Sequence, residues 1–123
     1  MGFAPRKFPI LHHLKRARHR IKDEPIAAES VVVEVPDKAA GQSVAEQTKE
    51  ILAKIDGLLA QGGTDKSKLL QAVIWLQDIR VVDEFNKVWD AWVVAGSGPA
   101  RACIEARLQS PAKMIEIQVT AAR

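Results

Sequence analysis

The sequence predicts an α+β domain in which two helices cover one face of a sheet. Two segments carry apolar residues at three- and four-residue spacing, and four have the length and side-chain character of strands. Their order is strand, helix, strand, helix, strand, strand, the pattern of a layered α+β fold. With 123 residues, 47% of them hydrophobic, the chain is long enough for one compact core and too short for two.

Each element has its own signal. Val31-Val32-Val33 are β-branched and stop at Pro36-Asp37, as a short strand running into a turn would. Ser43-Val44-Ala45-Glu46 is a capping box, in which the serine hydroxyl and the glutamate side chain would each satisfy a backbone donor at a helix start. Val44, Ile51, Leu52, Ile55, Leu58 and Leu59 form the apolar stripe of that helix, and Gly62-Gly63 its stop. Leu70 to Leu76 is an apolar run of strand length. A second helix follows, with Val82, Phe85, Val88, Trp89, Trp92 and Val93 on its dry side and Gly96 as its end. The two tryptophans fit a core better than a ligand box. Residues 100–107 and 114–121 read as two alternating strands, and the loop containing Ser110-Pro111 suits a hairpin-like reversal between them.

Alternation divides the side chains of these last strands between two faces. Ile115, Ile117, Val119 and Ala121 are expected against the helices, and Arg101, Cys103 and Glu116 on a polar face opposite. A polar face of this kind is either wetted or covered by another copy of the chain.

Charge is uneven along the chain. Residues 1–30 hold seven of the 18 Lys and Arg and three of the 15 Asp and Glu, leaving eleven basic against twelve acidic residues in the rest. The chain therefore divides into a basic segment, residues 1–30, expected to be poorly ordered, and a domain over 31–123. A nearly neutral body lacks the electrostatic footprint of a nucleic-acid binder. No apolar run approaches the roughly 20 residues needed to cross a bilayer. Cys103 is the only cysteine, which excludes an intramolecular disulfide and a cysteine-based metal cluster and fits a reducing, cytoplasmic setting. His12, His13 and His19 lack partners at metal-ligand spacing. No metal or other cofactor is expected.

The segment Pro99-Ala100-Arg101-Ala102-Cys103-Ile104-Glu105-Ala106, followed by Met114-Ile115-Glu116-Ile117, resembles the paired signature strands of the RidA (YjgF, L-PSP) family. Gly63 to Leu69, Ile74 to Ile79 and Asn86 to Trp92 are similar to that family in the same order, whereas residues 1–30 are not. The resemblance implies a chorismate-mutase-like two-layer sandwich with a mixed sheet, assembled as a homotrimer with ligand sites in the clefts between subunits. It also implies hydrolytic deamination of enamines and imines of 2-oxo acids, such as 2-iminopropanoate, without a cofactor. Arg101 matches the family arginine that holds the substrate carboxylate, Cys103 lies beside it as a second substrate contact, and Glu116 matches the acid near the reacting water.

A guanidinium can take a carboxylate through two parallel bonds, and an already electrophilic imine needs little beyond positioning and one proton-handling group. On the residues alone, other readings stay open. Arg101 and Glu116 could form a structural ion pair on neighbouring strands, Cys103 could be a small packed residue, and Glu105 and Arg107 could be surface charges. Two alternative functions also remain: a non-catalytic carboxylate-binding trimer of the same fold, and a ribonuclease or translation inhibitor, toward which only the basic tail points.

Overall fold

The computed structural model describes residues 28–123, as a sheet of four strands backed by two helices. The basic segment, apart from residues 28–30, lies outside the described residues. In chain order the elements are β1 (Ala28–Glu34), α1 (Val44–Gln61), β2 (Leu69–Leu76), α2 (Val82–Trp92), β3 (Ala100–Glu105) and β4 (Ile115–Ala122). Short 3-10 turns precede α1, β2 and α2. β1 begins at Ala28, so Ala28, Glu29 and Ser30 belong to the sheet.

The sheet runs β1-β4-β2-β3 and is mixed: β4 is antiparallel to both of its neighbours, and β2 and β3 are parallel. The expected hairpin between the last two strands does not form. β3 and β4 lie on opposite sides of β2, and the nine residues between them cross one end of the sheet to get there. The long 106–114 connection therefore spans a strand instead of making a tight turn.

One face of the sheet is dry. Val33, Ala72, Ile74, Ile117 and Val119 pack under Ile51, Leu52, Ile55 and Leu59 of α1 and Phe85 and Trp89 of α2. The other face carries Val32, Trp75, Ile104, Glu116 and Gln118 with no element of the described chain over it; Val32 and Ile104 are 56% and 47% exposed.

Local chemistry accounts for the helix ends. At the start of α1 the Ser43 side chain accepts from the Glu46 N–H at 3.2 Å, as the capping box requires. The reciprocal half is replaced. Glu46 turns to Lys49 at 3.3 Å, and Glu84 of α2 accepts the Ala45 N–H at 2.9 Å, so a tertiary contact supplies the second acceptor. At the other end, Gly63 N–H reaches Ala60 O at 3.1 Å and Thr64 N–H reaches Leu59 O at 2.9 Å, with Gly63 at φ +80°. Those two bonds and the left-handed glycine make a Schellman stop. α2 ends earlier than Gly96 suggests: the backbone is already extended at Val93.

Candidate functional site

Register fixes where the three singled-out side chains stand. Arg101 and Cys103 pair with Ala72 and Ile74 of β2, which in turn pair with the buried Val119 and Ile117 of β4. Paired residues share a face, so Arg101 and Cys103 lie on the helix side of the sheet. Glu116 pairs with Trp75 on one side and Glu34 on the other, and faces away from the helices. The expectation of one polar face bearing all three is thus corrected. It failed because alternation along β3 alone cannot say which set of residues α2 covers; β3 is an edge strand on which both sets are largely exposed.

The Arg101 guanidinium carbon lies 5.5 Å from the centre of the Phe85 ring and 5.7 Å from that of Trp89. The two rings, 5.9 Å apart, make an aromatic seat. Arg101 stays exposed, and among the described residues it makes no ion pair. Its bidentate edge is therefore available to an anion. A shallow depression of about 260 Å³, lined by Gln71, Ala72, Val73, Ala100, Arg101 and Ala102, lies where the parallel strands β2 and β3 begin to pair; Gln71, Val73, Ala100 and Ala102 face away from the helices, so it opens on the face opposite the Arg101 guanidinium.

Cys103 is partly buried against the core. Burial pushes its thiol above the ordinary range, and the nearby Arg101 charge opposes the shift. The neutral thiol is favoured, which suits a packing or weak contact role better than a nucleophile.

Arg101 and Glu116 are not an ion pair. Three residues along β2 and two inter-strand spacings separate them, roughly 14 Å between backbones, and they project from opposite faces. A three-carbon acid cannot touch both within one protomer.

Two further polar residues were not anticipated from sequence. Asn86, on α2 beside Phe85, has a buried side-chain oxygen with no partner among the described residues. Gln47 is fully buried; its amide donates to Ala39 O at 3.2 Å and Ala112 O at 2.7 Å and accepts from Met114 N–H at 2.8 Å. It thereby fixes the start of β4 two residues before Glu116. The signal was present, because Gln47 occupies an inward position between Val44 and Ile51 on the α1 stripe, where an apolar residue belongs. The described residues contain no group of three side chains suited to holding a metal ion.

The fold is a two-layer α+β sandwich with an uncovered sheet face and a solvent-facing arginine on its edge strand. The chain belongs to the family described as Endoribonuclease L-PSP, whose model matches residues 30–123. A RutC family protein of Haemophilus ducreyi is 44% identical over 77 residues, covering 63% of this chain and 66% of that protein. A RutC family protein of Haemophilus influenzae is 43% identical over 88 residues, covering 72% and 76%. The crystal structure of a YjgF-family member from Neisseria meningitidis superposes with a TM-score of 0.70 at 48% identity, over 76% of this chain and 79% of the other. The resemblance of the signature strands to the YjgF and L-PSP family is thus borne out, as is the α+β sandwich. No helix among the described residues is long and apolar enough to cross a membrane.

Proposed function

We propose that this chain hydrolyses reactive imines and enamines of small 2-oxo acids to the 2-oxo acid and ammonia, at clefts between the subunits of a homotrimer. The observation that carries this reading is Arg101, seated on Phe85 and Trp89 with its charge uncommitted among the described residues. It would hold the substrate carboxylate, with Cys103 alongside. Because Glu116 projects from the opposite face, the carboxylate that assists water would come from a neighbouring copy, which also gives the exposed Val32 and Ile104 something to bury against. A reducing cytoplasm, where Cys103 persists as a thiol, is the matching setting.

Generating 2-aminoacrylate from serine with a dehydratase, then following 2-oxo acid release with and without this protein, tests the proposal. Acceleration is expected. Light scattering should give three times the chain mass. A trimer that gives no acceleration sinks the deaminase and favours a second reading, a non-catalytic carboxylate-binding trimer. The distance between Arg101 and Glu116 in one protomer supports that reading, since binding needs only the arginine. Ribonuclease action, which the family description names, has the least support, because residues 31–123 carry eleven basic and twelve acidic side chains.

A further inference from the structure

We propose that the furrow between α1 and α2 is a second ligand site, which takes an aromatic ring joined by a short alkyl chain to a carboxylate. The furrow has a volume of about 570 Å³ and belongs to the helix layer, away from the open face that carries Glu116. That volume is in the range of small-molecule sites. Its rims carry small exposed residues, Ala53 of α1 and Ala91 of α2, and the buried Leu52 and half-buried Val88 lie between them.

Two contacts give its direction. Glu84 near the start of α2 holds Ala45 near the start of α1 at 2.9 Å, and Trp92 at the end of α2 reaches Asp56 far along α1, with the indole Nε1 donating to both carboxylate oxygens at 3.1 Å. The helices therefore run the same way. Lys49, one turn beyond Ala45, and Lys87, three residues beyond Glu84, stand across the furrow at one end. Trp92 closes the other end. From Lys49 to Asp56 the axis advances about 10 Å, the span of a phenyl ring plus roughly four carbons.

The charges sort the ligand. Lys49, Lys66 and Lys87 line the furrow against one carboxylate, Asp56, which is already held by Trp92. Lys66 lies 5.3 Å over the Trp92 ring, at the far end where Asp56 also stands. Glu46, 3.3 Å from Lys49, offsets part of that lysine's charge, so Lys87 is the main anion contact at the end the two lysines share. An anion is thus drawn to the Lys49 and Lys87 end. A ring suits the far end, which finishes against the Trp92 indole.

Calorimetric titration of the full chain with 4-phenylbutanoate tests this, with phenylacetate, 4-phenylbutan-1-ol and decanoate as comparisons. Saturable binding of 4-phenylbutanoate is expected. Phenylacetate, shorter by two CH₂ groups, should bind on the order of 10-fold more weakly. The alcohol and the Lys87→Gln variant should each lose about 10-fold or more, whereas Arg101→Lys should bind like the parent. Ala91→Leu, which fills the furrow, should abolish binding while leaving 2-oxo acid binding intact. The proposal is overturned by no saturation at about 1 mM, by decanoate binding more tightly than the aryl acid, or by Arg101→Lys losing as much as Lys87→Gln. That last outcome would place the ligand at Arg101 instead, without touching the deaminase proposal.

Discussion

The guanidinium of Arg101 rests 5.5 Å from the centre of the Phe85 ring, a residue with no exposed surface, so the one cation of β3 is held by one of the most buried side chains of α2. Such a contact is worth about 0.5 to 1 kcal/mol at an exposed site. Stability and binding should therefore separate at this position. Arg101→Lys is expected to keep the fold and melt within a few degrees of the parent. It should bind a small 2-oxo acid on the order of 10- to 100-fold more weakly, because an ammonium cannot reproduce the two-pronged contact. Calorimetry and a thermal melt on the same preparation give both numbers. Unchanged binding with a much lower melting point would make Arg101 a structural residue and remove the site.

Glu116→Gln should behave in the opposite sense, lowering turnover more than binding, since the amide keeps shape and hydrogen bonding but cannot help deprotonate water. The readout is the ratio of kcat to KM effects in the coupled dehydratase assay. Equal loss of both would mean that Glu116 shapes the cleft without handling a proton.

Cys103 makes a prediction about pH. Burial raises the thiol pKa in the folded state, so folding favours the protonated form. Its contribution to stability is present below the unfolded thiol's pKa and is lost as pH rises through the folded value. Alkylation by iodoacetamide should be slow at pH 8 and rise steeply only in more alkaline solution, and Arg101→Ala should slow it further by removing the charge that opposes the shift. Rapid modification at pH 7, faster than that of a free thiol, would contradict the burial argument.

Periodicity located both helices and all four strands, since Ile51, Ile55, Phe85 and Trp89 repeat at helical spacing and Ile115 to Ala121 alternate cleanly. Arg101, Cys103 and Glu116 could be picked out because the strands that carry them resemble a family signature. Their mutual placement could not. It depends on β2 lying between β3 and β4 and on which side of edge strand β3 is met by α2, and both are tertiary facts that no local pattern encodes. The same limit hid Glu84, which completes the cap of a helix 39 residues upstream.

Gln47 ties the loop before α1 to the segment that launches β4, and its removal should be felt in both. Gln47→Ala leaves the part-buried Met114 N–H without its acceptor and opens a cavity, while Ala39 O and Ala112 O keep the Gln42 and Gly41 N–H groups. The unsatisfied donor costs about 1 to 3 kcal/mol, partly relieved by water, and the cavity adds to it. A loss on the order of 3 kcal/mol in urea denaturation is expected, with faster hydrogen exchange at Met114 and Ala39. A loss under about 0.5 kcal/mol, the scale of a surface substitution, would show that the bridge is dispensable.

Gly62 and Gly63 stand side by side at the end of α1 yet should fail for different reasons. Gly63 has φ +80° and an open surround, with Arg123 Cδ the nearest atom to an added Cβ at 3.9 Å, so Gly63→Ala meets only backbone strain. That strain is about 1 to 2 kcal/mol. Gly62, at φ −81°, has a backbone that any residue adopts, but an added Cβ would lie 2.5 Å from Glu29 Cγ. Glu29 must then move, and it is paired with Arg123 at 3.0 Å. Gly62→Ala should therefore lose its cost in a Glu29→Ala background, where the clash is gone, whereas the cost of Gly63→Ala should be the same in either background. A double-mutant cycle by urea denaturation reads the difference directly. Coupling of Gly63 to Glu29, or none for Gly62, would show that the packing of β1 against the end of α1 differs from the arrangement described.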